Sequence, residues 1–254
     1  MFYRAGPHKD DKVKSANAFT KSIYSTLIPV LDQRARFLKK LYDEISSGPS
    51  IKGRYVDAGA GTTINSSFFG EGFQQIFLLD INAIEPAGQG TDIQYLIGDV
   101  QALPLKDNTV DLLSLISAIE HVPDPRQALS EAARVVRPGG EIVIQIPNLF
   151  FPADLHTGML NPFWIPKFAR KRYVRMLGHP DFFNEVYSLP QGKEIRLWMG
   201  KNMRLEGIRK VVYPAHFVPA IARPLYRLLC KLGILSLIPL GHLYVFKKVD
   251  LRSI

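Results

Sequence analysis

The sequence predicts an α/β protein built on a seven-stranded, mostly parallel sheet with helices on both faces. Between residues 54 and 146, short apolar runs of strand length alternate with segments that have helical or turn character. Strands that are apolar almost throughout, each followed by a crossover, are typical of a parallel sheet that is covered on both faces. The length of 254 residues and the hydrophobic content of 46% suit one such domain.

The predicted elements follow one another in a regular order. Ser22–Ile45 carries apolar residues at helical spacing, and Ser47-Gly48-Pro49 ends this helix. Two further helices are predicted at Thr63–Phe69 and Arg126–Val136, and Pro138-Gly139-Gly140 stops the second one. The first five strands are predicted at Arg54–Asp57, Gln75–Asp80, Ile93–Ile97, Val110–Ile116 and Glu141–Ile146.

Two insertions are predicted after strands 5 and 6. The first is rich in aromatic, proline and basic residues, and the second is apolar and helical. The helix and the two strands that complete the fold are predicted at Lys193–Met199, Arg204–Tyr213 and His242–Val249. We therefore expect a single domain over 1–254, whose N-terminal helical segment, core and two insertions lie at 1–50, 52–148, 149–190 and 214–239.

Composition excludes several classes of protein. The single cysteine, Cys230, can form neither an intrachain disulfide nor a cysteine-based zinc site, and we expect no metal. The longest strongly apolar stretch, 232–246, is broken by glycine and proline and is too short to span a bilayer as a helix. We expect a cytoplasmic protein that makes, at most, peripheral contact with the inner membrane surface.

Charge is distributed unevenly along the chain. Residues 1–54 and 151–254 carry net charges of +6 and +11, whereas residues 55–150 carry −8. This asymmetry predicts two surfaces that have different partners.

A glycine-rich turn follows the first predicted strand. The glycines of Asp57-Ala58-Gly59-Ala60-Gly61 permit a sharp turn and the close approach of a ligand to the backbone. Asp80 ends the next strand, 19 residues after Gly61, close to the spacing at which an acid accepts hydrogen bonds from ribose hydroxyls. The pattern predicts a ribose-bearing ligand, and an ordinary strand–helix turn is the alternative.

Four further segments occur in the order expected of one family. They are Leu78-Leu79-Asp80-Ile81, Gly98–Leu105, Asp111–Val122 and Arg134–Gly140. With the glycine turn, they resemble the motifs of the class I S-adenosylmethionine-dependent methyltransferases, particularly the type 11 small-molecule branch, over about residues 52–148. The chain departs from the pattern at Thr63, where the family often has a third glycine.

The resemblance implies a Rossmann-like methyltransferase with S-adenosyl-L-methionine as its cofactor. Asp80 would bind the ribose hydroxyls, Asp99 would hold the adenine edge, and Ser117 would lie beside the methionine part. The acidic centre of the chain fits, because the cofactor carries a sulfonium cation. The complete set of cofactor-binding residues that the resemblance implies is Asp57, Ala58, Gly59, Gly61, Asp80, Ile81, Asp99, Val100 and Ser117.

Two histidines are candidate general bases for a hydroxyl or amine acceptor. His156 follows the fifth strand, where open α/β sheets bind ligands, and its usual pKa suits a base near neutral pH. His121, after Glu120, is the second candidate. Either histidine could instead only fix its loop. Asp154, His179 and Tyr187 are further side chains that could reach the same pocket.

The basic and aromatic insertions suggest the acceptor. The segment Phe163–Arg175 combines aromatic residues with five cations, which suits either a solvated helix face or a lid over an anionic lipid-linked or glycan substrate. The segment Tyr226–Leu240, which contains Arg227 and Lys231, could lie at a membrane interface or in the core.

The leading interpretation is an enzyme that O-methylates a small-molecule, glycan or lipid-linked acceptor. The first alternative is a nucleic-acid (RNA) methyltransferase, because the sequence pI is 9.6. The fourth strand ends in Ser117-Ala118-Ile119-Glu120-His121, however, without the proline-rich motif used on nucleobase amines, and we expect no nucleic-acid partner. The second alternative is a non-catalytic S-adenosylmethionine-binding protein, against which the intact set of carboxylates argues.

Overall fold

One seven-stranded sheet organises the molecule. The structure, a computed structural model, describes residues 33–61, 65–83, 93–152, 160–180, 182–217 and 223–250. The strand order is β3-β2-β1-β4-β5-β7-β6. The strands are β1 (Arg54–Ala58), β2 (Gln75–Asp80), β3 (Ile93–Ile97), β4 (Val110–Ile116), β5 (Val136–Pro147), β6 (Met203–Val211) and β7 (Gly241–Lys248).

The strand directions place both insertions at one edge of the sheet. Strands β1 to β5 are paired in parallel, whereas β7 is antiparallel to both β5 and β6. Consequently β1 to β6 all point the same way, and their C-terminal ends lie at one edge, which we call the carboxyl edge. The insertions after β5 and β6 both start there. The predicted seven-stranded, mostly parallel fold with these two insertions is confirmed.

Helices cover both faces of the sheet. Residues 33–43 form α1, which confirms the described part of the helix predicted at Ser22–Ile45. One core cluster packs α3 (Pro125–Val135) and α6 (Gly192–Trp198) on one face, and a second packs Leu38 and Tyr42 of α1 and Phe69 of α2 (Ser66–Phe69) on the other. The remaining helices are α4 (Lys167–Met176), α5 (Phe182–Glu185), α7 (Arg223–Lys231) and α8 (Ile234–Leu237).

The start of β5 differs from the prediction. Val136 pairs with Val110, and Glu141 pairs with Leu112, so four residues of β5 lie opposite a single residue of β4. Pro138-Gly139-Gly140 is therefore an irregular stretch inside β5 and not a loop before it. The Arg137 side chain donates a hydrogen bond to Asp111, the residue of β4 that lies opposite this stretch. Periodicity along the chain cannot reveal an ion pair between two strands, so the early start of β5 was not predicted.

A buried carboxylate fixes α1 against the sheet. Glu141 is almost fully buried and accepts hydrogen bonds from the Tyr42 hydroxyl at 2.7 Å and the Ser46 hydroxyl at 2.7 Å. Both donors lie at the C-terminal end of α1, and its other end carries Arg34 to the carboxyl edge, where it meets Ser117. Within the described ranges, no helix has the length and hydropathy needed to cross a membrane.

Candidate active site

A deeply buried acid at the carboxyl edge is Asp57, near the end of β1. It is 1% exposed, and its Oδ1 accepts a hydrogen bond from the Ser114 hydroxyl at 2.7 Å. Because Ser114 uses its proton on Asp57, the Tyr55 hydroxyl donates to Ser114, also at 2.7 Å. Asp57 Oδ2 is buried without a hydrogen-bond partner. A buried carboxylate oxygen in this state suits a ligand that brings a donor.

Asp57 changes its charge near neutral pH. Burial raises the pKa of Asp57 to about 7, the hydrogen bond from Ser114 and the neighbouring Asn65 side chain oppose this rise, and the Asp80 charge adds to it. Burial, together with the charge of Asp57, also raises the pKa of Tyr55. A cation placed beside Asp57 would favour its ionised form.

The glycine turn is fixed to β2 and to the segment after β4. The amides of Gly59 and Ala60 donate to the Leu79 carbonyl at 2.8 and 3.0 Å. Gly59 has a φ of 74°, and a Cβ on it would lie 2.6 Å from the Ala118 Cβ. The backbone at Gly59 therefore packs directly against Ala118, so a glycine is needed here for this close contact within the protein as well as for the turn.

Asp80 connects the turn to the end of β2. One carboxylate oxygen accepts from the Gly61 amide at 2.9 Å, and the other accepts from the Asn82 amide at 3.0 Å. A carboxylate has about four acceptor positions, so hydrogen-bonding capacity remains for hydroxyl donors. Ile81, beside it, and Ile97, at the end of β3, are both exposed apolar side chains. Sequence reasoning named Ile81 and missed Ile97.

The residues after β3 are more enclosed than the resemblance implied. Asp99 accepts hydrogen bonds from the Gln101 amide at 2.8 Å and from its side chain at 3.0 and 3.1 Å. The side chains of Val100 and Ala58 belong to the core. Because these side chains are buried, a ligand would meet mainly the backbone groups of Val100 and Ala58. That the two residues bind the cofactor stays a prediction.

A polar network connects the ends of β4 and β5 with α1. Ser117 has a φ of 51°, a left-handed conformation that is uncommon outside glycine and is often found at functional sites. Its hydroxyl donates to Gln145 Oε1 at 2.7 Å and accepts from Arg34 Nη2, which also donates to Gln145 Oε1 at 2.8 Å. Arg34 Nε is buried without a partner. Sequence reasoning missed Arg34 and Gln145, although a glutamine inside the apolar β5 run was a usable signal.

The segment after β4 is fastened to the first insertion. His121 Nδ1 donates to the Glu185 carbonyl at 2.6 Å, since that oxygen can only accept, so a proton from an acceptor would have to enter at Nε2. The Tyr187 amide donates to the Glu120 carbonyl at 2.9 Å.

The His179 amide donates to the Val174 carbonyl, which closes the end of α4. His156 and Asp154 lie outside the described residues, so His156 as the base stays a prediction.

Glu120 is a second buried acid that sequence reasoning did not single out. Its side chain is fully buried, and neither carboxylate oxygen has a hydrogen-bond partner. With Asp57, it gives the carboxyl edge two buried carboxylates that lack a full set of donors. Buried polar groups without partners suit a ligand that brings hydrogen-bond donors.

Comparison with known proteins agrees with this geometry. A family model described as a methyltransferase domain matches residues 56–144, which run from β1 into β5. Residues 56–144 are a class I methyltransferase domain. The described part of this methyltransferase domain contains every strand that contributes a predicted cofactor-binding residue.

Relatives are similar to this chain over part of their length. A demethylmenaquinone methyltransferase of Renibacterium salmoninarum is 29% identical over 117 residues, 45% of this chain and 48% of the relative. A ubiquinone/menaquinone biosynthesis C-methyltransferase of Roseobacter denitrificans is 40% identical over 68 residues, 25% of this chain and 27% of the relative. The chain thus spans about half the length of the first relative and about a quarter of the second.

The fold is shared more widely than the sequence. The geranyl diphosphate C-methyltransferase of Streptomyces coelicolor, solved in complex with Mg²⁺, geranyl diphosphate and S-adenosylhomocysteine, matches with a TM-score of 0.53. The match covers 92% of this chain and 85% of that protein at 13% identity. At this identity the likeness concerns the fold alone.

Substituting Gly59 tests the close contact between the turn and Ala118. Gly59→Ala adds the left-handed strain of alanine, about 1–2 kcal/mol, and the clash with Ala118, a further ~1–3 kcal/mol of unfolding free energy. Gly178→Ala is the matched control, because Gly178 has a φ of 83° and its added Cβ would meet nothing within 4 Å. Urea unfolding should show a larger loss for Gly59→Ala, and equal losses would contradict the contact.

Proposed function

We propose that the protein transfers a methyl group from S-adenosylmethionine to a hydroxylated small-molecule or lipid-linked acceptor. The observation that carries this proposal is the glycine turn between two acids at the carboxyl edge. Asp57 has a buried unpartnered oxygen on one side of the turn, and Asp80 holds the Gly61 amide on the other. The methyltransferase domain matched at residues 56–144 supports it.

The charged groups at the carboxyl edge suit an amino-acid zwitterion. Asp57 would accept from the ammonium group of the cofactor, and Arg34 would donate to its carboxylate. These two side chains are held by Ser114 and Ser117, which lie three residues apart where β4 ends. The opposite charges of Asp57 and Arg34 thus match the two ends of the methionine part.

The nucleoside part suits the outer strands of the sheet. The remaining acceptor capacity of Asp80 fits the ribose hydroxyls, and the exposed side chains of Ile81 and Ile97 fit the faces of a purine ring. The sulfonium of the bound cofactor would supply an electrophilic methyl group. The chain then has to align the acceptor with that methyl group, which proximity effects can make worth about 7–11 kcal/mol.

Deprotonation of the acceptor is the remaining chemical task. We propose an oxygen acceptor, with His156 or His121 Nε2 receiving the hydroxyl proton, which contributes about 10²–10⁴-fold to the rate. The names of two relatives refer to quinones, and one of them to C-methylation. A ring carbon next to an ionised hydroxyl is also nucleophilic, so carbon methylation of a phenolic acceptor would need the same base.

Calorimetric titration with S-adenosylmethionine tests the cofactor assignment. Asp80→Ala should weaken the affinity by about 10- to 100-fold, because charge-assisted hydrogen bonds are lost. Asp43→Ala is the control, since Asp43 is an exposed acid paired with Lys39 on α1. Unchanged affinity in Asp80→Ala would contradict the assignment.

Transfer of a labelled methyl group into an extract of the source organism tests the reaction itself. We expect the label in the lipid or small-molecule fraction. Label in the nucleic-acid fraction would support the RNA methyltransferase alternative, and cofactor binding without any transfer would support a non-catalytic protein.

The raised pKa of Asp57 predicts that cofactor affinity depends on pH. A cationic ligand binds the ionised form, so the affinity should rise by up to about tenfold per pH unit below pH 7 and level off above it. Calorimetry between about pH 5.5 and pH 7.5 measures this slope. Asp57→Asn should bind more weakly with no such slope. A slope that persists in Asp57→Asn would assign the titration to a group other than Asp57 and contradict the prediction.

Arg34 is predicted to bind the cofactor carboxylate. Arg34→Gln should weaken S-adenosylmethionine by about tenfold or more through the loss of a charge-assisted hydrogen bond. Arg36→Gln, two residues away on α1, where Arg36 lies over the Phe68 ring, is the control. Equal affinities of the two variants, at unchanged unfolding temperature, would exclude this role.

A further inference from the structure

Exposed apolar side chains are concentrated in the two insertions. The described part of the chain has sixteen large hydrophobic side chains that are exposed, and twelve of them lie in the insertions, six in each. The six in the first insertion are Phe150, Leu160, Trp164, Phe168, Met176 and Leu177. The six in the second are Leu225, Leu228, Leu232, Ile234, Leu237 and Ile238. Single exposed hydrophobic residues are ordinary, but this concentration indicates a surface that contacts something apolar.

The second insertion carries a leucine stripe along α7. Leu225 and Leu228 of α7 and Leu232, directly after its last residue, follow the spacing i, i+3, i+7, which places them on one side, and all three are exposed. Tyr226 and Leu235 are buried on the other side and hold α7 and α8 on the body of the protein. The leucines are therefore exposed on helices that are themselves firmly packed.

The first insertion carries a basic face with an aromatic residue at its centre. Phe168 on α4 is 92% exposed, and Lys171, Arg172 and Arg175 follow at i+3, i+4 and i+7 on the same side of the helix. Among the described residues, no ion pair involves these three cations. Val174 is buried on the opposite side of α4. Three cations around one exposed aromatic ring suit a surface that is both anionic and penetrable.

The two surfaces belong to the same end of the molecule. Both insertions leave the carboxyl edge, since β5 and β6 end there. Phe151 of the first insertion packs against the Tyr226 and Leu235 cluster of the second. The Asn161 side chain donates to the Phe151 carbonyl at 3.1 Å and to the Leu149 carbonyl at 3.1 Å. The first insertion is thus fastened to the second near the start of its path towards α4.

We propose that α4, α7 and α8 form a docking surface for an anionic lipid bilayer. The surface is defined by its exposed apolar and basic side chains, which are Phe168, Lys171, Arg172, Arg175, Leu225, Leu228, Leu232 and Leu237. The apolar side chains enter the region between headgroups and acyl chains, and the cations bind acidic headgroups. The net charge of +11 on residues 151–254 complements such a membrane.

Charge favours a bilayer over the two other occupants. A twofold dimer would place the same patch on both partners, so Lys171, Arg172 and Arg175 would face only leucines, an aromatic ring or other cations, and none of these neutralises their charge. Nucleic acid would pair with the cations but would leave the leucine stripe against a polar backbone. A bilayer with acidic headgroups satisfies both parts at once.

Docking in this orientation turns the carboxyl edge towards the membrane. The reacting group of an acceptor with an acyl or isoprenoid tail would reach towards the end of β4 while the tail stays in the lipid phase. This consequence for the acceptor rests on the proposed function, whereas the docking itself does not.

Sedimentation of the full chain with vesicles tests the proposal. The protein should pellet with vesicles that contain phosphatidylglycerol, less so as salt is raised, and weakly with vesicles of phosphatidylcholine alone. Leu237→Ser together with Leu228→Ser should reduce the pelleted fraction several-fold. Leu197→Ser should not, because Leu197 is 78% exposed against 79% for Leu237 but lies near the end of α6, before β6 begins at the opposite edge.

A charge pair of variants tests the basic face in the same way. Lys171→Glu with Arg172→Glu should abolish the preference for phosphatidylglycerol, and Lys201→Glu, in the exposed turn before β6, should retain it. Equal pelleting of test and control variants would overturn the proposal. So would a mass of two chains by light scattering that falls to one in the leucine variant, or tighter binding to RNA than to anionic vesicles.

The same samples separate this proposal from the proposed function. Calorimetric affinity for S-adenosylmethionine should be unchanged in all these variants, since none of the substituted residues lies among the cofactor-binding residues. Vesicle binding without methyl transfer would contradict only the proposed function. Methyl transfer with no preference for anionic vesicles would contradict only the docking surface.

Discussion

A carboxylate buried between two strands is the constraint around which the carboxyl edge is built. Asp57 cannot be ionised there at low energetic cost, and burial raises its pKa to about 7. Ser114 lies directly opposite Asp57 on β4, and its hydroxyl donates a hydrogen bond to Asp57 in an otherwise apolar part of the strand. Because Ser114 gives its proton to Asp57, Tyr55 donates to Ser114. The hydroxyls of Tyr55 on β1 and Ser114 on β4 thus form one chain of hydrogen bonds that ends at the buried acid.

The sequence was a good guide wherever a feature depends on local pattern. All seven strands were predicted near their observed positions, because most of them contain an apolar run between turn signals, and Asp57 and Asp80 could be named as candidates because they fall at strand ends. Arg34 and Glu120 were missed because their importance arises from contacts between segments far apart in the chain. The start of β5 was wrong for the same reason, since pairing with β4 overrides the turn signal of Pro138-Gly139-Gly140.

The two halves of the carboxyl edge are held by different kinds of contact. The acids at the ends of β1 and β2 lie on hydrogen-bonded strands and are connected by backbone amides. The proposed acceptor side is built from short helices that are fixed by contacts such as the hydrogen bond from His121 to the Glu185 carbonyl. In the proposed enzyme, a cofactor side built on strands and an acceptor side built on insertions would allow substrate choice to change while the sheet stays the same.

The position of β7 has a consequence for how the chain is assembled. β7 follows β5 and β6 in the sequence but lies between them in the sheet. Because domains begin to fold from the N-terminal side during synthesis, β6 has no neighbour to pair with until Gly241–Lys248 has left the ribosome. Until then β5 presents an open strand edge, which is a template for association with other chains.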